Sequence, residues 1–169
     1  MKFEQIVSDN YVPQLVSLLH AAYQADEKLG IHFRAARVNA ADVRKHLQTT
    51  PTFALLSSDG QQVLATVSVR LPWSANPGPG RFPHLGWVAT NPAYQGHGLA
   101  KQLITAVIKQ FVVAKLRAPA VTLGTAKEHP WLIQAYQRLG FEVTGEAQLF
   151  PDHKTVYLRK TLGGTASEL

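Results

Sequence analysis

The chain has 169 residues, the size of one globular domain, and 46% of them are hydrophobic while 17% are charged. This composition excludes a disordered chain, and because no apolar run reaches about 18 residues, the sequence predicts no transmembrane helix. The chain has no cysteine, which excludes disulfides, thiolate metal sites and a cysteine nucleophile. An acid stands in the N-terminal segment where a secretory signal would be apolar, so we expect a cytoplasmic protein that does not associate with membranes.

The net charge of +6 fits three explanations: attraction of an anionic ligand, binding of nucleic acid, or simple solubility. The lysines and arginines are scattered along the chain and form no dense block interleaved with aromatic residues. Scattered basic residues are weak evidence for nucleic-acid binding, so we do not expect RNA or DNA as the partner. A cofactor with several phosphate groups would benefit from the same positive field.

The first half of the chain predicts a strand, two helices and a β-hairpin. In chain order these elements are Phe3–Ser8, a helix from near Tyr11 to Leu29-Gly30, a short helix after Asn39, and the strands Thr52–Ser57 and Gln62–Arg70. Asp9 is placed to cap the first helix. The sequence Ser58-Asp59-Gly60 suits the positive φ angles of a hairpin turn.

The second half predicts a strand, a long helix, another strand, another helix and a final hairpin. In chain order these are His84–Thr90, Gly98–Leu116, Ala120–Thr125, Pro130–Leu139, Phe141–Phe150 and Thr155–Arg159. The loop Leu71–Pro83 is rich in Pro and Gly, and its aromatics Trp73 and Phe82 either line a substrate site or cover the sheet edge; we favour covering. Residues 163–169 predict a flexible tail.

The resulting order is β-α-α-β-β-β-α-β-α-β-β. Strands and helices mixed within one small chain predict an α/β fold, with helices on the faces of a sheet. We find no linker or internal repeat, so residues 1–162 are expected to form a single domain.

A glycine-rich turn stands between the strand His84–Thr90 and the long helix that follows. Gly96 and Gly98 lie just before this helix, whose first turn has unpaired N–H groups and a partial positive charge. Glycine lets a phosphate approach the backbone closely, but the same residues are also consistent with a simple strand-to-helix turn. The P-loop pattern is absent, and Lys101 stands where a dinucleotide fingerprint needs a third glycine. The turn therefore binds phosphate in another way or not at all.

The residues around this turn carry a family resemblance. The segment Trp87-Val-Ala-Thr-Asn-Pro-Ala-Tyr-Gln-Gly-His-Gly-Leu-Ala100 resembles the acetyl-CoA motif of the GCN5-related N-acetyltransferase (GNAT) superfamily, with Gln95, Gly98 and Ala100 in its three fixed positions. Downstream, His129-Pro-Trp-Leu-Ile-Gln-Ala-Tyr-Gln-Arg-Leu-Gly-Phe141 resembles the family's second motif through Tyr136, Gly140 and Phe141. The resemblance spans Phe3 to about Arg159. It implies a mixed, mostly antiparallel central sheet flanked by helices, with acetyl-CoA as the acyl donor.

The resemblance also implies the cofactor-binding residues. Backbone groups of Val88 and Thr90 would pair with the pantetheine arm, and the N–H of Val88 or Ala89 would polarise the thioester carbonyl. The pyrophosphate would be held by backbone amides of Gln95, Gly96, His97, Gly98, Leu99, Ala100 and Lys101. His129 stands where the family often has Asn, so it is either a cofactor contact or the N-cap of the helix that starts at Pro130.

The catalytic residue that the resemblance implies is Tyr136, as the general acid that protonates the departing thiolate. A core tyrosine on an amphipathic helix is the alternative. The general base is not identified: Asp26, Glu27, Glu128 and His84 are candidates, although a solvated helix end explains Asp26-Glu27 better. The seven histidines form no metal-ligand pattern, so no metal is expected.

The expected reaction is direct transfer of acetyl to a primary amine of a small molecule or peptide, without an acyl-enzyme. Two other functions stay open, namely a non-catalytic acyl-CoA-binding regulatory domain and an acetyltransferase for an RNA-associated acceptor. The sequence does not decide whether the protein is a homodimer.

Overall fold

The computed structural model describes residues 1–28, 34–151 and 153–162, without the side chains of residues 25–28, 34 and 150. It contains seven strands and four α-helices. In chain order they are β1 (Lys2–Gln5), α1 (Val12–Lys28), α2 (Ala40–Thr49), β2 (Thr52–Leu56), β3 (Val63–Arg70), β4 (His84–Thr90), α3 (Leu99–Val107), β5 (Ala120–Ala126), α4 (Pro130–Arg138), β6 (Glu142–Phe150) and β7 (His153–Thr161). This succession confirms the predicted order of elements.

The seven strands form one sheet in the order β1-β2-β3-β4-β5-β7-β6. Pairing is antiparallel between β1 and β2, β2 and β3, β5 and β7, and β6 and β7, whereas β4 and β5 pair in parallel. The mostly antiparallel sheet confirms the predicted fold class. Chain contacts divide the fold into two compact units, of which the first comprises Met1–Val69 with Trp87–Val107 and the second comprises Arg70–Gly86 with the chain from Ile108 on.

The core of the first unit lies between the helices α1 and α2 and the strands β2, β3 and β4. Apolar residues at helical spacing on α1 face this core, because a helix buries the side chains that recur every three or four positions. The buried members of the core are Ile6, Val12, Leu15, Leu18, Leu19, Ala35, Val38, Val43, Ala54, Leu56, Val63 and Ala89. The hairpin turn before β3 contains Gly60 at φ 74°, as its sequence predicted.

The second unit is built on the antiparallel strands β5, β7 and β6, with α4 packed on β6. β5 is buried along nearly its whole length, whereas in β7 the buried side chains alternate, as expected where one face of a strand packs on a core. The buried residues include Val121, Leu123, Val156 and Leu158, together with Phe141 just before β6.

Three local expectations need correction. Ser8, rather than Asp9, caps the turn that leads into α1, because its hydroxyl accepts the N–H of Asn10 at 3.1 Å. The predicted helix Gly98–Leu116 is α-helical only from Leu99 to Val107 and continues as a π-helical segment, Ile108–Val113. Trp73 is 70% exposed, so the expectation that it covers the sheet is wrong.

No helix in the described part of the chain is both long and apolar enough to cross a bilayer. The predicted tail, residues 163–169, and the end of the first predicted helix at Leu29-Gly30 lie outside the described residues.

Candidate active site

The end of β4 directs part of its backbone away from β3. The parallel ladder between β4 and β5 comprises two residue pairs, His84 with Thr122 and Leu85 with Leu123. Beyond it, the N–H of Asn91 donates to the carbonyl of Leu64 on β3 at 2.9 Å. Because successive residues of a strand point their backbone groups to opposite edges, Thr90 points away from β3. Such an edge can pair with an extended ligand in the manner of an added strand.

An aromatic stack supports a strained residue at the start of this edge. Trp87 has a φ angle of 50°, which is unfavourable for a bulky side chain and locally redirects β4. Its indole ring stacks on the imidazole of His46 with the ring centroids 3.6 Å apart. Nε2 of His46 shares a hydrogen bond of 2.7 Å with the Ser68 hydroxyl, and burial lowers the pKa of His46 to about 4. His46 is therefore neutral at pH 7 and acts as a fixed support for the Trp87 ring.

A second support comes from α1. The hydroxyl of Tyr23 donates to the carbonyl of Val88 at 3.0 Å. This bond ties the strand residue after Trp87 to the helix that packs on it. Together with the stack, it fixes the backbone of Val88 before any ligand binds, and a fixed backbone is what an oxyanion donor requires.

The turn after β4 has the features of an anion site. Gly96 and Gly98 have φ angles of 84° and 72°, and a Cβ placed on either would meet no atom within 4 Å. Residues 95–98 are exposed, and the first turn of α3, which the structure describes fully, contains no acidic residue. The N–H of Gln102 donates to the carbonyl of Gly98, the residue that precedes the helix, at 3.0 Å. The N–H groups of Leu99, Ala100 and Lys101 are thus directed outward at the positive end of a helix, with space for a phosphate group.

The end of α4 explains the second family motif in structural terms. Gly140 has a φ angle of 96°, its N–H donates to the carbonyl of Gln137 at 3.0 Å, and the N–H of Phe141 donates to that of Tyr136 at 3.1 Å. These two bonds define a Schellman motif, in which the residue after the glycine contacts the last full turn. The rings of Tyr136 and Phe141 make this contact edge-to-face, with centroids 6.1 Å apart. The spacing of Tyr136, Gly140 and Phe141 is therefore accounted for by helix termination alone.

The predicted catalytic tyrosine remains protonated at physiological pH. Burial raises the pKa of the Tyr136 phenol to about 12, so its hydroxyl is a permanent hydrogen-bond donor at neutral pH. Its role as general acid stays a prediction, because the contact with Phe141 at the helix end is by itself a sufficient reason for a tyrosine at this position.

His129 occupies the N-cap position of α4, but its side chain makes no capping hydrogen bond. The ring is 4% exposed and packs edge-to-face on Trp131 with centroids 4.6 Å apart. The capping alternative is therefore not supported by a side-chain hydrogen bond. The contact between His129 and the cofactor stays a prediction.

The candidate bases differ widely in environment. His84 is 6% exposed, shares a hydrogen bond of 2.8 Å with the Thr122 hydroxyl, and has its pKa lowered to about 3 by burial and then by the nearby cation of Arg70. Such a weakly basic imidazole is a poor proton acceptor. Glu128 is exposed, and the side chains of Asp26 and Glu27 lie outside the described part of the structure.

The predicted site residues divide between the two units. Val88, Ala89, Thr90 and Gln95–Lys101 form one continuous stretch of the first unit, whereas His129 and Tyr136 lie at the two ends of α4 in the second. Sequence reasoning missed Tyr23 and His46, because their contacts with β4 join residues far apart in the chain. Within the described residues, no group of three or more acidic or histidine side chains could hold a metal ion.

Comparison with known proteins identifies the family. The model of the acetyltransferase (GNAT) family matches residues 14–141. Over 149 residues the chain is 37% identical to the S-(2-succino)cysteine N-acetyltransferase of Bacillus subtilis (strain 168), covering 88% of this chain and 89% of the relative. It is 34% identical over 136 residues to the S-alkylcysteine N-acetyltransferase of the same organism, covering 80% of this chain and 75% of the relative.

The fold agrees with a solved relative. An acetyltransferase of Salmonella typhimurium, solved with its cofactor acetyl-CoA, superposes with a TM-score of 0.71 at 15% identity, covering 96% of this chain and 94% of the other. The chain therefore belongs to the acetyltransferase (GNAT) family. It is an acetyltransferase, and acetyl-CoA is its acyl donor, as the sequence motifs predicted.

Proposed function

We propose that this protein transfers the acetyl group of acetyl-CoA to the α-amine of an S-substituted cysteine. The observation that carries the proposal is that two relatives, 37% and 34% identical over most of the chain, are both N-acetyltransferases of cysteines modified at sulfur. Such an acceptor is a small molecule with a primary amine, which is the acceptor class that the motifs predicted.

The cofactor is assigned to the β4 edge and the glycine turn. Backbone groups of Val88 and Thr90 pair with the pantetheine arm, and the amides of Gln95–Lys101 hold the pyrophosphate. Support comes from the open space above Gly96 and Gly98 and from the outward N–H groups at the start of α3. The net charge of +6 favours the approach of this polyanion. We keep His129 as a proposed contact.

Acetyl-CoA supplies an activated acyl group, whose thioester carbonyl carbon is attacked by the neutral amine. The C–N bond forms, the C–S bond breaks, the nitrogen loses one proton and the sulfur gains one. The α-amine of an amino acid is mostly protonated at pH 7, so it must lose a proton before its nitrogen can attack. The N–H of Val88 or Ala89 stabilises the oxyanion, and the bonds that fix Val88 hold this donor in place.

Tyr136 is the proposed general acid. Because its phenol has a pKa of about 12 and a cysteine-like thiol has one of about 8.5, complete transfer of the proton to the thiolate is uphill by roughly 5 kcal/mol. We therefore expect Tyr136 to act mainly by a hydrogen bond to the departing sulfur. The proton that the amine loses then protonates the thiolate and gives the free thiol of coenzyme A.

The test is release of coenzyme A thiol with a panel of amines, with the products identified by mass spectrometry. We expect turnover of S-(2-succino)cysteine and S-methylcysteine at a kcat/KM about 100-fold above that of spermidine or a peptide amine. Turnover of spermidine or a peptide alone would reject the proposed acceptor. Tight binding of acetyl-CoA without turnover of any amine would instead identify a non-catalytic acyl-CoA-binding domain.

A further inference from the structure

Arg70, the last residue of β3, is a half-buried cation with incomplete hydrogen bonding. Its Nε is buried and has no hydrogen-bond partner, while one terminal nitrogen donates to the carbonyl of Pro77 at 3.1 Å. Burial lowers the pKa of the guanidinium, yet an arginine remains charged at any physiological pH. The side chain thus carries a full positive charge, and the N–H groups of its guanidinium are only partly used as hydrogen-bond donors.

No acid in the described part of the chain forms an ion pair with Arg70. The side chains that interact electrostatically with its guanidinium are the phenol of Tyr157 and the imidazole of His84, and neither is a carboxylate. A charge taken partly out of water without a counter-charge is destabilising, because the lost hydration is not replaced. An external anion that paired with the guanidinium would replace the lost hydration.

The surroundings of the guanidinium are polar but uncharged. We define the Arg70 cluster as Arg70, His84, Thr122 and Tyr157. His84 stays neutral because its pKa is about 3, its Nδ1 shares the hydrogen bond with Thr122, and its ring contacts that of Tyr157 edge-to-face with centroids 6.4 Å apart. All four residues belong to the second unit. The cluster therefore combines one fixed cation with neutral polar groups and offers nothing that would repel an anion.

Other basic side chains do not share this environment. In the described chain, Arg70 is the only arginine or lysine with a buried nitrogen that lacks a partner. The other arginines whose side chains are described are exposed: Arg37, Arg44, Arg81, Arg117, Arg138 and Arg159. Water satisfies the donors of exposed arginines, so these residues give no comparable sign of a missing ligand.

We propose that Arg70 binds the carboxylate of an amino-acid acceptor and so determines specificity for free amino acids over simple amines, an inference that rests on the function proposed above. A guanidinium presents two parallel N–H donors that match the two oxygens of a carboxylate. In an S-substituted cysteine, a single carbon separates this carboxylate from the amine that attacks. Binding the carboxylate therefore holds the amine close to the guanidinium, and neutralising the carboxylate charge lowers the pKa of the neighbouring ammonium.

The experiment compares two acceptors that differ only in the carboxylate, S-methylcysteine and its decarboxylated analogue 2-(methylthio)ethylamine. KM and kcat for each are measured with the wild-type protein, Arg70→Met, Arg70→Gln and the control Arg159→Gln. Arg70→Gln keeps a donor for the Pro77 carbonyl, and Arg159→Gln removes an exposed charge from β7 in the same unit.

We expect Arg70→Met and Arg70→Gln to raise the KM for S-methylcysteine about 100-fold, as for loss of one partner of a hydrogen-bonded charge pair. The kinetics with the decarboxylated amine, and the KM for acetyl-CoA, should not change. Arg159→Gln should match the wild type with both acceptors. Melting temperatures show which variants are folded.

Two results would overturn the role of Arg70 while the proposed function stands: a wild-type protein that acetylates both amines equally well, or a folded Arg70 variant that keeps the wild-type preference for the carboxylate. Failure of the proposed function has a different signature. If the proposed function is wrong, the wild-type protein neither acetylates S-methylcysteine nor binds it in a calorimetric titration. The inference about Arg70 is then rejected together with the proposed function.

Discussion

The start of α3 and the end of α4 both carry glycines with positive φ angles, yet their backbone groups have different partners. At the end of α4, Gly140 and Phe141 donate to the carbonyls of the last helical turn, so the protein itself satisfies them. At the start of α3, the N–H groups that follow Gly98 point outward, and space is open above Gly96 and Gly98. The same residue type thus closes one helix end and leaves the other available to a ligand.

This difference changes how the two family motifs are interpreted. In the motif at Gln95–Ala100, the N–H of Gln95 donates to the carbonyl of Pro92 at 3.4 Å, whereas the N–H groups at the start of α3 have no partner within the helix, and a bound anion is their natural partner. The motif at Tyr136–Phe141 has a complete structural explanation in its Schellman bonds and ring contact, whether or not Tyr136 takes part in catalysis. The catalytic assignment of Tyr136 therefore depends on its hydroxyl group alone.

The largest expected effect follows from removal of that hydroxyl. Tyr136→Phe keeps the ring contact with Phe141 and the helix end, so we expect an unchanged melting temperature and a kcat reduced about 100-fold, the usual contribution of a positioned acid. Steady-state kinetics with acetyl-CoA held at saturation measure the change. Tyr11→Phe, which removes a hydroxyl that donates to Gly60, is the matched control. A wild-type kcat in Tyr136→Phe would leave the tyrosine with a packing role only.

The second prediction compares alanine substitutions at the two kinds of glycine. In Gly98→Ala, the new methyl group meets no protein atom but stands where a phosphate approaches, so we expect the KM for acetyl-CoA to rise about 10-fold, beside a loss of stability of about 1 kcal/mol because the φ angle of 72° is strained for alanine. In Gly140→Ala, the methyl group meets the Lys160 side chain at 3.3 Å and the φ angle of 96° is strained, so we expect about 1–2 kcal/mol less stability and an unchanged KM. Denaturant unfolding measures the stability of both variants, and steady-state kinetics measure their KM for acetyl-CoA. A raised KM in Gly140→Ala with an unchanged KM in Gly98→Ala would contradict the distinction between the two helix ends.

A charge change at the start of α3 should have opposite effects on binding and on stability. Lys101→Glu places an acid in the first helical turn, which stabilises a helix by about 0.5 kcal/mol but repels a pyrophosphate. We expect about 5-fold weaker acetyl-CoA binding, and the difference should shrink as salt is added. Titration calorimetry at two salt concentrations measures it, with Lys109→Glu as the exposed control farther along the chain. Equal affinity in Lys101→Glu and the control would argue against a pyrophosphate at this helix end.

The smallest expected effect is on the pH profile. A phenol with a pKa of about 12 keeps its proton up to about pH 11, so Tyr136 should add no alkaline limb to the profile of kcat/KM. The rate should rise with pH as the acceptor amine loses its proton, and Tyr136→Phe should lower this curve without changing its shape. An alkaline limb near pH 9 that is present in the wild type and absent from Tyr136→Phe would show that the phenol is more acidic than its buried environment implies.

Much of the fold follows from local sequence patterns. The strand His84–Thr90 and the helix that starts at Pro130 were predicted to within a residue or so, because side-chain periodicity and turn residues act over short distances. The glycines of both motifs were predicted as turn residues for the same reason. The π-helical segment was missed, since the apolar spacing of residues 103–112 fits a regular helix equally well.

The sequence by itself determined the order of the elements, the family and the acyl donor, since each depends on residues close together in the chain. Only the tertiary structure decided which ionisable groups are isolated from water and from one another. The weak basicity of His84 and the support of Trp87 by His46 depend on residues brought together from distant positions. So does the lack of a counter-charge beside Arg70 among the described residues. Burial and pairing of charges are long-range properties of the folded chain, so local patterns could not predict them.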